Sequence, residues 1–242
     1  MHVEGLEFVI IAVALFTGAT LQGTLGFGMT MLAFPALVLI EPALLPQTTL
    51  IVSLPLVFYL AYRNWGDADL REVAILTSGR VPGLILAVVI IERVSQTALA
   101  LSAGFVVLLG VGLSLWAPAV KRTTPTLLAA GTVSALFGTT VSIGGPPLGL
   151  LYQHEAGPRL RSTISLLMVF GAPVSFLFLA LSGNVSGVDL RTGLALMPFG
   201  LAGSYSSRWV IPLFDQRLRP IVLSVCALAA VLAMARVAID SL

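Results

Sequence analysis

The sequence predicts an all-α, polytopic helical membrane protein made of two inverted repeats. Each repeat is a broken or re-entrant helical hairpin followed by three transmembrane helices. Three observations lead there: a composition too apolar for water, charge-free runs long enough to cross a bilayer, and a polar, glycine-rich interruption written twice at matched positions.

Of 242 residues, 57% are hydrophobic and 10% charged, and the mean hydropathy is +1.02. A soluble domain carries roughly 25% charged residues to keep its surface wet. Phe8–Ile40, Pro42–Tyr62, Val94–Val120, Thr123–His154 and Ser162–Val188 contain no Lys, Arg, Asp or Glu. Each matches or exceeds the ~20 residues a helix needs to cross about 30 Å of hydrocarbon. The runs are rich in Leu, Val, Ala and Gly without period-2 alternation, which excludes a transmembrane barrel and leaves helices. The pI near 9.0 does not signal a nucleic-acid partner. The net charge is only +2, and the basic residues stand singly or in pairs between apolar runs, as orientation signals do. The bilayer is the partner this composition requires.

The two longest runs, Phe8–Ile40 and Thr123–His154, each carry a break followed by proline. The first reads Gln22-Gly23-Thr24-Leu25-Gly26-Phe27-Gly28-Met29-Thr30 and reaches Pro35. The second reads Ser134-Ala135-Leu136-Phe137-Gly138-Thr139-Thr140-Val141-Ser142 and reaches Gly144-Gly145-Pro146-Pro147. At an offset of 112, Gly26 meets Gly138, Thr30 meets Ser142 and Pro35 meets Pro147. A further echo, two residues out of that register, pairs Gln47-Thr48-Thr49 with Arg161-Ser162-Thr163. A straight helix of ~33 residues would be near 50 Å long, whereas two full crossings and a turn need ~43 residues. A helix, a break and a shorter return helix fit the length.

The 13 Lys and Arg residues choose between topologies. If each long run crosses once, the 12 basic residues outside the spans divide six to six. If each enters and returns to the same side, nine share one face: Arg63, Arg71, Lys121, Arg122, Arg159, Arg161, Arg208, Arg217 and Arg219. Only Arg93, Arg191 and Arg236 lie opposite. The positive-inside rule expects such a bias, so the sequence predicts two hairpins, six full crossings, and both termini outside. With three crossings per half, the halves run in opposite directions.

The elements follow in order. Hairpin one covers about Leu6–Ile40, and helices cover about Leu45–Tyr62, Val73–Ile91 and Gln96–Ala117. Hairpin two covers about Pro125–Gln153, and helices cover about Ser162–Leu181, Leu190–Tyr205 and Pro220–Ile239. Lys121–Pro125 reads as a connector between repeats of about 1–120 and 121–242, so a single membrane domain is expected. The first apolar run lacks the positive flank of a signal peptide and is expected to stay in the mature chain.

Matched glycine and proline interruptions point to a solute site in such proteins. Backbone released from a helix in hydrocarbon must be buried in protein or line a wet cavity. Glycine allows turns and close approach, and half-helix N-termini favour anions. The candidate site therefore comprises Thr20, Gln22, Gly23, Thr24, Gly26, Phe27, Gly28 and Thr30 from the first break. From the second come Ser134, Gly138, Thr139, Thr140, Ser142, Gly144, Gly145 and Pro146. Arg80, the one basic residue well inside an apolar span, could neutralise an anion through its planar fork or snorkel to the interface. Two facing breaks would form a small, neutral, donor-rich pocket suited to oxyanions. Glycines at Gly79-x-x-x-Gly83 spacing equally serve close helix packing.

Other chemistries lack their residues. Cys226 is alone, and His2 and His154 are the only histidines, so no metal site or cofactor is expected. There is no Gly-x-x-x-x-Gly-Lys-Ser/Thr loop for ATP, no nucleophile with a base in a span, and no nucleophile elbow. No carboxylate sits clearly mid-span, which favours a facilitator over a proton-coupled carrier. His154-Glu155 reads as an interfacial pair or a gate.

Through Gln22–Gly28 with Pro35, and Gly138 through Gly144-Gly145-Pro146-Pro147, the chain resembles the sulfite exporter TauE/SafE family of permeases. The family is likewise duplicated and close to this length. The resemblance implies movement of small sulfur-containing or organic anions, such as sulfite and sulfonates, across a bacterial inner membrane. Thr139-Thr140-Val141-Ser142 depart from the consecutive glycines that members often carry there. The alternative is a non-transporting membrane accessory or assembly protein whose glycines only pack helices. A homo-oligomer is compatible with either reading.

Overall fold

A segment in hydrocarbon satisfies its backbone either within a helix or in a closed barrel, and the described part of this chain is helical almost throughout. The structure, a computed structural model, describes residues 5–116, 120–152, 157–213 and 218–240. Among the described residues there are ten α-helices and no strands. The first five are α1 (Leu6–Leu25), α2 (Met29–Ile40), α3 (Gln47–Arg63), α4 (Leu70–Arg93) and α5 (Gln96–Trp116). The second five are α6 (Thr124–Thr140), α7 (Gly145–Leu151), α8 (Gly157–Leu181), α9 (Gly187–Val210) and α10 (Leu218–Asp240).

Both long runs are interrupted where the sequence places the breaks. α2 has 12 residues and α7 has 7, about 18 and 11 Å at 1.5 Å per residue, too short to cross the hydrocarbon. Among the described residues, α1, α4 and α8 are long and apolar enough to span a membrane. Several helices overrun their charge-free runs. α4 starts at Leu70 because the Asp69 carboxylate accepts from the N–H groups of Arg71 and Glu72. α9 starts at Gly187 because Ser186 and Asp189 form a capping box. Charge-free length reads membrane thickness, whereas caps set where coiling begins, and here they lie beyond the apolar stretch.

The main helix pairings are unchanged when the two sets of five are exchanged. α1 packs on α9 as α6 packs on α4; α3 packs on α9 as α8 packs on α4; α2 packs on α10 as α7 packs on α5. α3 also meets α8, and α5 meets α10. Directions follow from the contacts. Thr48 donates to Asp189 at 3.4 Å and Arg63 to the Ser204 carbonyl at 3.2 Å, so α3 and α9 run the same way. Asn64, just past the end of α3, donates to Ser165 near the start of α8 at 3.2 Å. Leu50, at the opposite end of α3, clusters with Leu179 at the opposite end of α8, so α3 and α8 run oppositely.

Small residues set the closest approaches. A Cβ on Gly79 or Gly83 would strike the backbone of Leu128 or Thr132 on α6, and one on Gly203 would strike Phe16 of α1. At both crossings a threonine hydroxyl seals the gap. Thr132 donates to the Gly79 carbonyl at 2.7 Å, and Thr20 to the Gly203 carbonyl at 3.0 Å. These two threonines are 112 residues apart (132 − 20), the offset of the breaks.

Substituting Gly83→Leu forces α4 off α6 and is expected to lower the unfolding temperature of the detergent-solubilised protein, at a cost of ~1–3 kcal/mol or more. Gly66→Ala, whose Cβ meets nothing within 4 Å, should leave it unchanged. Equal melting of both variants would refute the close crossing.

Candidate functional site

The first break is a turn made by two glycines. Gly26 ends α1 in the left-handed region (φ 93°) and returns its N–H to the Gln22 carbonyl, and Gly28 caps α2 at φ 117°. Only glycine takes these angles without strain. The Gln22 side chain reaches across the turn, its Oε1 accepting from Met29 N at 3.3 Å. Phe27, between the glycines, packs against α7 where Gly145 and Gly149 lack a Cβ. Break one is thereby docked into the return helix of the other half.

The second break turns without glycine at its sharpest residue. Ser142 sits at φ 59°, a conformation costing a non-glycine residue ~1–2 kcal/mol. Its hydroxyl holds it there, donating to the Pro46 carbonyl at 3.1 Å and lying 2.7 Å from Thr49 Oγ1. Thus the start of α3 meets break two. Correspondingly, Gly26 lies against Arg161 at the start of α8, whose Nη1 donates to the Thr24 carbonyl at 3.4 Å. The two segments that echo each other in sequence, Gln47–Thr49 and Arg161–Thr163, are the ones that abut the opposite half's break.

Between the breaks lies a cavity of about 70 Å³. A water needs roughly 10–15 Å³ on this measure, so the space suits a few waters or one compact anion. Gln22, Gly26, Phe27, Gly28, Thr30, Arg80, Ser134, Gly138, Ser142, Gly144 and Gly145 line it. Gln22 and Ser134, Gly26 and Gly138, and Thr30 and Ser142 are pairs at the 112 offset, and both members of each pair face the cavity.

The other six sequence-predicted residues are placed elsewhere. Thr20, Gly23 and Thr24 are on the side of α1 away from it: Thr20 bonds Gly203, Gly23 abuts Ser207, and Thr24 donates to the Thr20 carbonyl at 2.8 Å. Thr139 shares a 2.8 Å hydrogen bond with Ser175, Thr140 donates to the Leu136 carbonyl, and Pro146 packs on Gly110 of α5. Sequence reasoning did not single out Thr49, Ser53 and Ser175 in the wall, nor Met31, Val57 and Ile164. Thr49 carried a signal, as a member of the echoed segment; Ser53 and Ser175 are single hydroxyls in apolar helices and carried none. His154 and Glu155 lie outside the described residues.

Arg80 is 4% exposed. Its Nη1 reaches Ser134 Oγ at 3.4 Å, Nε has no hydrogen-bond partner among the described residues, and no carboxylate there pairs with it. Gly171 on α8 makes room: a Cβ there would run into the guanidinium. A buried cation with a free donor is costly unless something completes it. Arg63 is the opposite case. It donates to the Gly23 carbonyl at 2.7 Å, the Ser207 hydroxyl at 2.6 Å and the Ser204 carbonyl, and so joins α3 to the end of α1 and to α9. At the same end of the bundle Tyr152 donates to Glu72 at 2.6 Å, and Arg122 pairs with Glu72 at 3.5 Å.

Interrupted helices around a buried polar cavity, within a bundle of apolar helices, define a membrane transporter as a class. A family model described as Sulfite exporter TauE/SafE matches residues 10–233, nearly the whole chain. The chain belongs to that family. No curated protein and no solved structure gives a match.

Arg63→Met leaves two backbone carbonyls without this donor and is expected to destabilise the protein by ~2–4 kcal/mol, read as a lower unfolding temperature, with Arg63→Lys recovering part of the loss. An unchanged temperature for the Met variant would remove the clamp.

Proposed function

We propose that the chain carries small anions, with sulfite, sulfonates and related sulfur or organic oxyanions as its solutes, through the cavity between its two helix breaks. The observation that carries this reading is Arg80: a buried guanidinium with an unused donor, facing a cavity whose other polar groups are hydroxyls, one amide and backbone. Family membership agrees in kind, since the family description is that of a sulfite exporter.

The proposal includes a topology. The two sets of five helices are inverted repeats within one membrane domain, each comprising a re-entrant hairpin and three crossings. Exchangeable packing and the opposed directions of α3 and α8 support it. Arg63, Arg122, Arg159 and Arg161 gather with Glu72 and Asp69 at one end of the bundle. That end is assigned to the cytoplasm by the positive-inside rule, which puts both termini outside the inner membrane. Arg217 lies outside the described residues. Rocking of one repeat against the other would expose the cavity to each side in turn.

An accessory protein that only packs helices remains the competing reading, and Gly23, Gly79 and Gly83 do serve packing. The cavity glycines separate the two. A Cβ on Gly138 meets only Gly144 at 3.5 Å, ordinary contact, whereas one on Gly144 would crowd the Ser134 carbonyl at 2.6 Å. In liposomes holding the purified protein, Gly138→Ala should fold and retain sulfite flux. Gly138→Leu should fold and lose flux at least tenfold, because its side chain fills the cavity. Normal flux through the Leu variant would move the pathway elsewhere, and no flux through the wild type with any small anion would favour the accessory role.

A further inference from the structure

The carrier reading leaves open what the cavity accepts, and its charge inventory is unusually simple. Of the described residues that line it, Arg80 alone is ionisable. The nearby Arg63 and Arg161 donate to carbonyls at the end of α1 and take no part in the wall. Helix dipoles add little net charge: each break joins the C-terminal end of one helix to the N-terminal end of the next, so opposite partial charges lie side by side. Nor does the repeat duplicate the cation. Thr132 meets Gly79 on α4 as Thr20 meets Gly203 on α9, which sets the neutral Ser204 opposite Arg80.

Resting on that reading, we propose that the site selects by charge, taking anions that carry a single negative charge, and that Arg80 sets this limit. A monoanion neutralises the guanidinium and gives Nε its missing acceptor. A dianion of the same size leaves one net negative charge in a low-dielectric space, and a neutral solute leaves Arg80 uncompensated; both are penalised. Ser134 and Thr30 supply neutral hydrogen bonding to the remaining oxygens, and Met31, Val57 and Ile164 give the less polar part of a sulfonate an apolar wall. For a solute that exists in both charge states near neutrality, such as sulfite, the protonated monoanion is the form bound.

The test uses full-length protein in liposomes and two probes of fixed charge, methanesulfonate as the monoanion and sulfate as the dianion, at matched ionic strength. Methanesulfonate should enter at least tenfold faster than sulfate. Sulfite uptake at constant total sulfite should rise as pH falls through the bisulfite–sulfite transition, while methanesulfonate uptake stays flat. Arg80→Lys should keep the preference. Arg80→Gln, confirmed folded by its unfolding temperature, should lose at least tenfold in methanesulfonate flux and lose the preference. Sulfate moving as fast as methanesulfonate would overturn charge selection while leaving the carrier intact, and a preference surviving in Arg80→Gln would take the role from Arg80. If none of these anions moves, the carrier reading itself falls.

Discussion

A backbone released from a helix inside hydrocarbon has no water to turn to, and this protein releases its backbone twice. Much of the rest of the architecture answers that constraint. At the first break, Gly26 returns its N–H to Gln22, the Gln22 amide takes Met29, and Arg63 and Arg161 serve the carbonyls of Gly23 and Thr24. At the second, Ser142, Thr49 and the Pro46 carbonyl close a small network, and Ile143 N reaches back to Phe137 at 3.2 Å. Each break draws its partners partly from the other half. Part of what holds each interruption therefore comes from across the boundary between the halves, and the cavity is lined from both.

That mutual dependence explains a division of labour among the glycines. One group, on α4 and α9, removes side chains so that backbones can touch: Gly79, Gly83 and Gly203. The other group makes the turns or opens the space: Gly26 and Gly28 by their angles, Gly145 by receiving Phe27, and Gly138 by leaving the cavity empty of side chain. The first group fixes how near the halves come, and the second decides what remains between them. Packing and transport are not rival accounts of a glycine-rich membrane chain; they apply to different positions in it.

The breaks, the short helices that follow them and the order of the helices are legible because they depend on one-dimensional quantities, namely charge-free length and the position of glycine. Which residues of a break face the cavity was only partly legible, since that depends on rotation about a helix. Thr20, Gly23 and Thr24 stand three and four residues apart, so they share one stripe of α1, and that stripe faces α9. Gln22 and Gly26, four apart, form another stripe, and it faces the cavity. A polar segment read as a block merges the two. The matched offset separates them in part: both members of the pairs 22/134, 26/138 and 30/142 reach the wall, whereas Thr139 has Phe27 at that offset and turns instead to Ser175. Arg63 was legible as an orientation charge and not as a clamp, because nothing in sequence distance links residue 63 to Gly23 and Ser207.

The departures from symmetry are as informative as the symmetry. Two neutral, hydroxyl-rich breaks can face each other without electrostatic cost. Two copies of a buried arginine could not. Placed at both 80 and 204 they would bury two like charges, and one monoanion would leave one of them uncompensated. Arg80 stands instead against Ser204 at the matching crossing of α9, so the buried charge occurs once at these two positions. The same logic applies to Gly171, whose missing side chain gives the single guanidinium its space. In the 114-residue register of the echo between Gln47–Thr49 and Arg161–Thr163, Gly171 matches Val57, whose buried side chain stands in the cavity wall. The main helix packing is thus paired and the buried charge is not.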